Sequence, residues 1–453
     1  MSADSESLLQ ARLTQKRQDI ESANSRVENA ASLCPTDGES AKVDVIISAV
    51  SAIFSDRITK EGMTDQLKSI IIAQVDKEVD AITDDYELRP RIKKLVITTM
   101  FGLGPLEPYM KPGSTVTDII VHRYDHICVD DSSGIHRIPA EFNSEEHLRN
   151  VIQRIVQQAG RQINLATPAV DARLADGSRV HATIPPITPD GATLTIRRFN
   201  NVPLKPTNYL TLHTMDALML QFLRLSVEGK LNILVSGGTT SGKTTLLNLL
   251  SGFIPENELI ITIEDSCELQ LNQPHVRRME GRAATGDLSA IGPQELLKES
   301  LRMRPDRIIV GEARDGTVVD MFSAMSTGHE GSMSTIHATS PRVLVDFRLP
   351  ILFSQYQGNA LTRETQVYMT ADAIQLIIQV SRVPGRARRI THITAVDGVD
   401  FEHGTVKLVD LFRYRRADDS FQMVNDYPEL ILARFEDNGI DTSQLPRMED
   451  CEK

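Results

Sequence analysis

The chain has 453 residues and carries 49 Lys and Arg against 61 Asp and Glu, a formal net charge of −12. That length exceeds what one hydrophobic core usually holds, and the acidic balance, with aromatics at 5% and no Trp, disfavours a nucleic-acid track or a base-stacking platform as the main surface. No apolar run approaches the ~18 residues that span a bilayer, and the start Met-Ser-Ala-Asp-Ser-Glu lacks a basic segment leading into an apolar one, so a cytoplasmic protein is expected.

In chain order, residues 1–42 are polar and thinly apolar, which predicts a flexible arm. Over 43–100 apolar residues recur at helical spacing, as in Val43, Ile46, Ile47, Val50, Ile53 and Phe54, then Leu67, Ile70, Ile71, Val75 and Val79; that period predicts a small helical bundle. The segment Gly102-Leu-Gly-Pro-Leu-Glu-Pro108 breaks the pattern and opens an α+β domain with its linker over 101–206. Its strands are expected at Thr117–His122, Ile127–Asp130, Val170–Leu174, Arg179–Ile184 and Ala192–Phe199, its helix at Ser144–Ala159, and its interdomain linker at Asn200–Pro206. Residues 207–453 alternate strand and helix as a mostly parallel sheet covered on both faces, with a short strand pair and helix after Val396. Cys34, Cys128, Cys267 and Cys451 are scattered, without Cys-x-x-Cys or His at ligand spacing, and read as reduced thiols.

The most informative segment is Gly237, Gly238, Thr239, Thr240, Ser241, Gly242, Lys243, Thr244, a fit to G-x-x-x-x-G-K-[ST]. It comes after the apolar run Leu231–Val235 and precedes Thr245–Leu250, the strand, loop and helix that a phosphate-binding loop requires. Glycines let successive N–H groups converge on phosphate oxygens, and the helix adds its positive dipole end. Lys243 is expected to reach the β and γ phosphates of ATP, and the Thr244 hydroxyl to ligate Mg²⁺.

Further segments supply what hydrolysis needs. Leu259–Asp265 is an apolar strand ending in Glu264 and Asp265, and Asp306–Glu312 is another ending in Glu312, the candidate water activator. Both carboxylates are candidates for the Mg²⁺ environment. The stretch Thr327–Ala338 brings His337 to a strand end, where an imidazole can bond a γ-phosphate; His329 has a weaker claim, because a lone His is more often structural.

Taken together, the loop, Thr-Ile-Glu-Asp-x-x-Glu-Leu-Gln, Arg-Pro-Asp-Arg-Ile-Ile-Val-Gly-Glu and Thr-Gly-His-Glu-Gly-Ser-x-Ser-Thr-Ile-His-Ala resemble the Walker A, Asp box, Walker B and His box of the type II/IV secretion ATPase superfamily. Within it the chain is similar to the CpaF/TadA branch of Flp (Tad) pilus assembly ATPases, through Gly102–Pro108, Pro168–Arg179, Leu194–Phe199 and Gln273–Val276. The resemblance covers about residues 45–435 and implies a RecA-like P-loop domain after an α+β domain, and a cytoplasmic homo-hexamer docked on inner-membrane platform proteins. It assigns Lys243 and Thr244 to Walker A, Glu264 to the Asp box, Glu312 to Walker B and His337 to the His box. It also implies nucleotide contacts from arginines of the α+β domain, where Arg161, Arg173, Arg179 and Arg197 stand in matching segments and Arg173 and Arg197 are the best clamp candidates. Two segments depart from the branch pattern: Ala-Arg-Asp-Gly-Thr317 after Glu312, and Val-Leu-Val-Asp-Phe-Arg-Leu-Pro350. The alternatives are a type IV secretion ATPase of the conjugative or effector branch, a nucleic-acid translocase on the same core, and a nucleotide-binding scaffold without turnover.

Overall fold

The computed structural model describes residues 37–61, 64–111, 113–131, 133–199, 203–282, 289–356, 361–383 and 388–452. The chain divides into two compact units, Met1–Asn200 and Asn201–Lys453.

Among the described residues the first unit opens with helices Asp37–Glu61, Asp65–Ile82 and Leu88–Phe101. The arm expected over 1–42 lies outside the described residues up to position 36; from Asp37 the chain is already helical. In this first turn Glu39 is buried and meets Arg91 Nε at 2.6 Å, an ion pair that anchors the helix ahead of Val43. Val43, Ile46, Val50 and Phe54 face Leu67, Ile71, Val75 and Val79 at spacings of three and four, with Ile92, Leu95 and Val96 closing the core. Ile53 and Ile70, counted in the sequence stripe, are exposed because they fall off that narrow face. Thr64 caps the second helix, its Oγ1 accepting from Leu67 N–H at 3.2 Å.

The rest of this unit is an antiparallel sheet. Strands β1 (Asp118–Arg123), β2 (His126–Asp131), β3 (Gly134–Arg137), β4 (Ala169–Arg173), β5 (Arg179–Thr183) and β6 (Thr193–Arg197) pair in the order β3-β2-β1-β6-β5-β4. Helix Glu145–Gln158, capped by Ser144, buries Leu148, Val151, Ile152, Ile155 and Val156 in the core that the sheet also lines. Arg198 serves the fold: its guanidinium donates to the carbonyls of Ser114, Val116, Met110 and Lys111 at 3.1, 2.9, 3.3 and 2.9 Å.

Among the described residues the second unit holds nine strands: β7 (Ile233–Gly237), β8 (Ile260–Glu264), β9 (Val276–Glu280), β10 (Arg307–Val310), β11 (Met333–Ile336), β12 (Leu376–Arg382), β13 (Arg388–Asp400), β14 (Thr405–Arg415) and β15 (Ser420–Met423). Their order is β15-β14-β13-β12-β7-β11-β10-β8-β9. From β12 to β9 all neighbours are parallel, whereas β13, β14 and β15 add on antiparallel. This is the mostly parallel α/β sheet expected. After Val396 come the expected strand pair, β14 with β15, and the helix Glu429–Asp437, the pair joining the main sheet through β13. One correction concerns the linker, because Pro206 is the first residue of helix Pro206–Thr211, where its fixed φ suits a helix start.

Strands β7, β8, β10 and β11 are buried at every position. One face packs with helices Ala217–Glu228, Lys243–Ser251 and Glu429–Asp437, the other with Pro293–Ser300, Thr317–Met325 and Arg363–Ala373. Two polar locks register the sheet from inside. Asn232 donates to Ala373 O at 2.7 Å and accepts from Ser332 N–H at 3.1 Å. Arg307, fully buried at the start of β10, forks onto Glu258 and donates to Gly331 O at 3.2 Å and Val227 O at 3.1 Å. Gly331 has φ +76°, and a Cβ there would lie 1.7 Å from Arg307 Nη1.

Removing one partner of a buried ion pair strands the other charge in a medium that solvates it poorly. Glu258→Gln is therefore expected to cost about 2–4 kcal/mol of stability, read as a lower urea midpoint for the second unit. A midpoint unchanged from wild type would show that Arg307 finds another counter-charge.

Candidate active site

Parallel strands deliver their carboxyl ends to one edge of a sheet, and four of these ends carry the sequence-derived candidates. Gly237 closes β7, His337 comes directly after β11, Glu312 lies two residues past β10 and Glu264 closes β8. The strand order β7-β11-β10-β8 therefore lines them up as loop, His337, Glu312, Glu264, the reverse of their chain order after the loop.

The loop is shaped by glycine where side chains would collide. A Cβ on Gly237 would lie 2.4 Å from Val380 O and 2.5 Å from Ser241 Oγ, and Gly242 has φ +95° just before the helix that Lys243 begins. Thr240 also takes a left-handed φ of 58°. Gly238, Thr239 and Thr240 are exposed at the rim, Ser241 and Lys243 are buried, Thr244 is half-buried and Thr245 exposed. Lys243 Nζ donates to Gly238 O at 2.9 Å and lies 3.2 Å from His337 Nδ1. His337 Nε2 in turn sits 3.2 Å from Glu312 Oε1. Glu312 Oε2 takes a bond from Arg314 Nη2 at 2.9 Å, and Arg314 Nη1 reaches Asp265 Oδ2 at 3.0 Å. One continuous chain of contacts thus runs from Lys243 through His337 and Glu312 to Arg314 and Asp265.

These neighbours set the protonation states. Burial pushes the His337 pKa down and the Lys243 charge adds to it, against a smaller opposing pull from Glu312. Burial also resists ionisation of Glu312, but the Arg314 hydrogen bond and charge, with His337 and Lys243, outweigh it and hold its pKa below the ordinary carboxylate value. A neutral imidazole and an ionised carboxylate therefore face the loop at neutral pH. Glu264 differs: burial raises its pKa despite bonds to Oε2 from the N–H groups of Glu268 and Leu269 at 2.8 and 3.0 Å.

Glu264 Oε1 is buried without a hydrogen-bond partner, an atom suited to a bound water or a hydrated cation. Among the described residues no cluster of three His, Cys, Asp or Glu forms a metal cage. Mg²⁺ keeps several waters and is held by one or two protein oxygens plus substrate phosphates. The Thr244 hydroxyl and the Glu264 and Glu312 carboxylates are the groups available for it.

The arginines of the first unit form a pattern of their own. Across β6, β5 and β4, Arg197 pairs in register with Arg179, and Arg179 with Arg173, so three guanidinium groups share one face of the sheet. Arg197 is exposed, and Arg173 Nε donates to Gly177 O at 3.1 Å. Arg161 lies in the turn after helix Glu145–Gln158, its N–H bonded to Val156 O at 2.9 Å. His329 contacts Ala324 O at 3.3 Å and stays in the Thr327–Gly331 turn, a structural placement. Sequence reasoning missed the Arg314 link; its only local signal is a base two residues after Glu312, close enough for the two side chains to meet across a strand-end turn.

Residues 100–356 match the family model for type II/IV secretion system proteins. A Mycobacterium tuberculosis protein described as a putative conjugal transfer protein is 33% identical over 336 residues, 72% of this chain and 93% of the relative. The type IV secretion system protein PtlH of Bordetella pertussis is 32% identical over 329 residues, 66% of this chain and 95% of that one. The crystal structure of the VirB11 ATPase from the Brucella suis type IV secretion system, with sulphate, is 25% identical, covers 66% of this chain and 95% of that chain, and superposes with a TM-score of 0.36.

The electrostatic chain can be read directly by histidine NMR. Lys243→Ala is expected to raise the His337 titration midpoint, because it removes a cation, and Glu312→Gln to lower it, because it removes an anion. Shifts of the opposite sign, or none, would mean that His337 does not sense the loop.

Proposed function

Because the chain belongs to the type II/IV secretion system protein family, we propose that it is a P-loop ATPase whose Mg²⁺-dependent turnover does mechanical work on pilus or secretion machinery. The observation that carries this reading is the unbroken contact from Lys243 through His337 to Glu312 at the carboxyl edge of the sheet. In it the loop from Gly237 to Thr245 cradles the phosphates of ATP and Lys243 neutralises charge that builds on the transferring phosphoryl group. Glu312, kept ionised, orients and polarises the attacking water, and neutral His337 bonds the γ-phosphate and registers its loss. Glu264 holds the water shell through its unpartnered oxygen. Mg²⁺, when bound beside Thr244, supplies charge neutralisation across the β and γ phosphates.

The in-register row of Arg173, Arg179 and Arg197 on one face of the sheet supports a clamp role toward the anionic nucleotide. Arg173 and Arg197 are its best candidates, in a homo-hexamer in which domain closure over ATP also tightens the ring. The working partners are inner-membrane platform proteins, with the chain cytoplasmic and peripheral to the membrane; among the described residues no helix is long and apolar enough to cross one. The finer reading is Flp (Tad)-type pilus assembly or protein secretion, resting on Gly102–Pro108, Pro168–Arg179, Leu194–Phe199 and Gln273–Val276. The second reading is a type IV secretion ATPase of the conjugative or effector branch, favoured by the described roles of the two relatives and by the departures after Glu312.

Turnover assays separate the roles. Lys243→Ala is expected to abolish measurable ATPase activity in a folded protein, while Glu312→Gln keeps ATP binding and slows hydrolysis at least a hundredfold, roughly what a positioned base contributes. Near-normal turnover of Lys243→Ala would sink the assignment of the loop.

Sedimentation with and without a non-hydrolysable ATP analogue tests the ring. The analogue should shift the wild type toward a hexamer, and Arg173→Ala with Arg197→Ala should weaken both that shift and catalysis. A monomer at micromolar protein under all conditions overturns the ring motor.

A further inference from the structure

The phosphate-binding loop is braced from a direction that the motif does not encode. Arg388 opens β13 and is exposed, yet its Nε donates to Thr240 O at 3.1 Å. Its stem lies against the loop, since a Cβ added to Gly242 would meet Arg388 Cδ at 2.9 Å. Thr240 is the one described non-glycine residue of the loop with a positive φ, 58°, a conformation that a side-chain-bearing residue adopts only when its surroundings hold it there.

The base from which Arg388 reaches is itself pinned. Its neighbour Arg389 is buried, pairs with Asp419 at 3.1 Å, and donates to Leu212 O and to the Arg388 carbonyl at 3.1 Å each. Tyr414 adds a 2.7 Å bond to the same Asp419, and Ile390 N–H bonds Thr214 O at 2.9 Å. In a phosphate nest the N–H groups converge on the anion and the carbonyls turn away. A donor on the Thr240 carbonyl therefore acts on the back of the nest and leaves its inner face to the ligand.

We propose that Arg388 is a positioning residue for the phosphate-binding loop: by bonding the Thr240 carbonyl it holds that residue in the left-handed conformation that aims the loop's N–H groups at the nucleotide. The inference rests on the nucleotide-binding reading above and extends the site to the antiparallel hairpin, outside the matched family segment. It makes loop order, and hence affinity, depend on how β13 is seated.

Calorimetric titration of the full chain with ATP and Mg²⁺, paired with steady-state kinetics, tests it. Arg388→Gln is expected to weaken ATP affinity and raise KM roughly tenfold, about 1.4 kcal/mol, with kcat within about twofold of wild type and the unfolding temperature without nucleotide unchanged. Arg388→Lys, which keeps a cationic donor, should recover most of the loss. Glycine adopts positive φ without strain, so in a Thr240→Gly background Arg388→Gln should cost less than about twofold. Wild-type affinity in Arg388→Gln overturns the proposal, as does an equal loss in both backgrounds, which would mean direct contact with the ligand. Should Thr240→Gly bind too weakly to measure, failure of Arg388→Lys to rescue overturns it alone. A wild-type chain that binds no ATP overturns the nucleotide reading itself, an outcome distinct from the others.

Discussion

Everything at the candidate site depends on the burial of four adjacent parallel strands. Strands β7, β11, β10 and β8 have no exposed position, so helices must cover both faces and each crossover must return the chain in the same direction. Helix-length connections then leave all four carboxyl ends on one edge. The glycine-rich loop, the imidazole and both carboxylates meet there as a consequence of hydrophobic burial. Such burial also requires that the few polar groups inside be matched, and Asn232 and the Arg307–Glu258 pair show how closely.

The groups at the edge are held with unequal firmness. Glu264 is buried and takes two backbone N–H bonds, so moving it would strand donors and acceptor together. Arg314 is about half exposed, 54% for its side chain, and ion pairs of that kind contribute only about 0–1 kcal/mol. The link from Asp265 through Arg314 to Glu312 is therefore easily rearranged. Lys243 bonds Gly238 O and lies against His337, contacts with which a phosphate would compete on the reading proposed above.

Much of this was legible in the chain. The glycine spacing from Gly237 to Gly242, the apolar runs ending in Glu264 and Glu312, and the strand leading to His337 are local patterns, and local patterns survive translation into structure. Errors arose where the deciding contact was distant in sequence. The chain is already helical from Asp37, where Glu39 pairs with Arg91, 52 positions on. Pro206, read as the end of a linker, belongs to the helix it starts.

The sequence by itself determined which chemical groups stand at strand ends, since a two-residue alternation or a short apolar run sets where a strand stops and which residues lie just past its end. Only the tertiary structure decided the order in which those ends lie. Strand order comes from crossover packing, which places β11 between β7 and β10 although it is last of the three in the chain. His337 thus stands between Lys243 and Glu312, and Arg388 stands behind Thr240, because helix-on-sheet burial brings together residues 94 and 148 positions apart. No local pattern carries that information; it resides in the shape of the core.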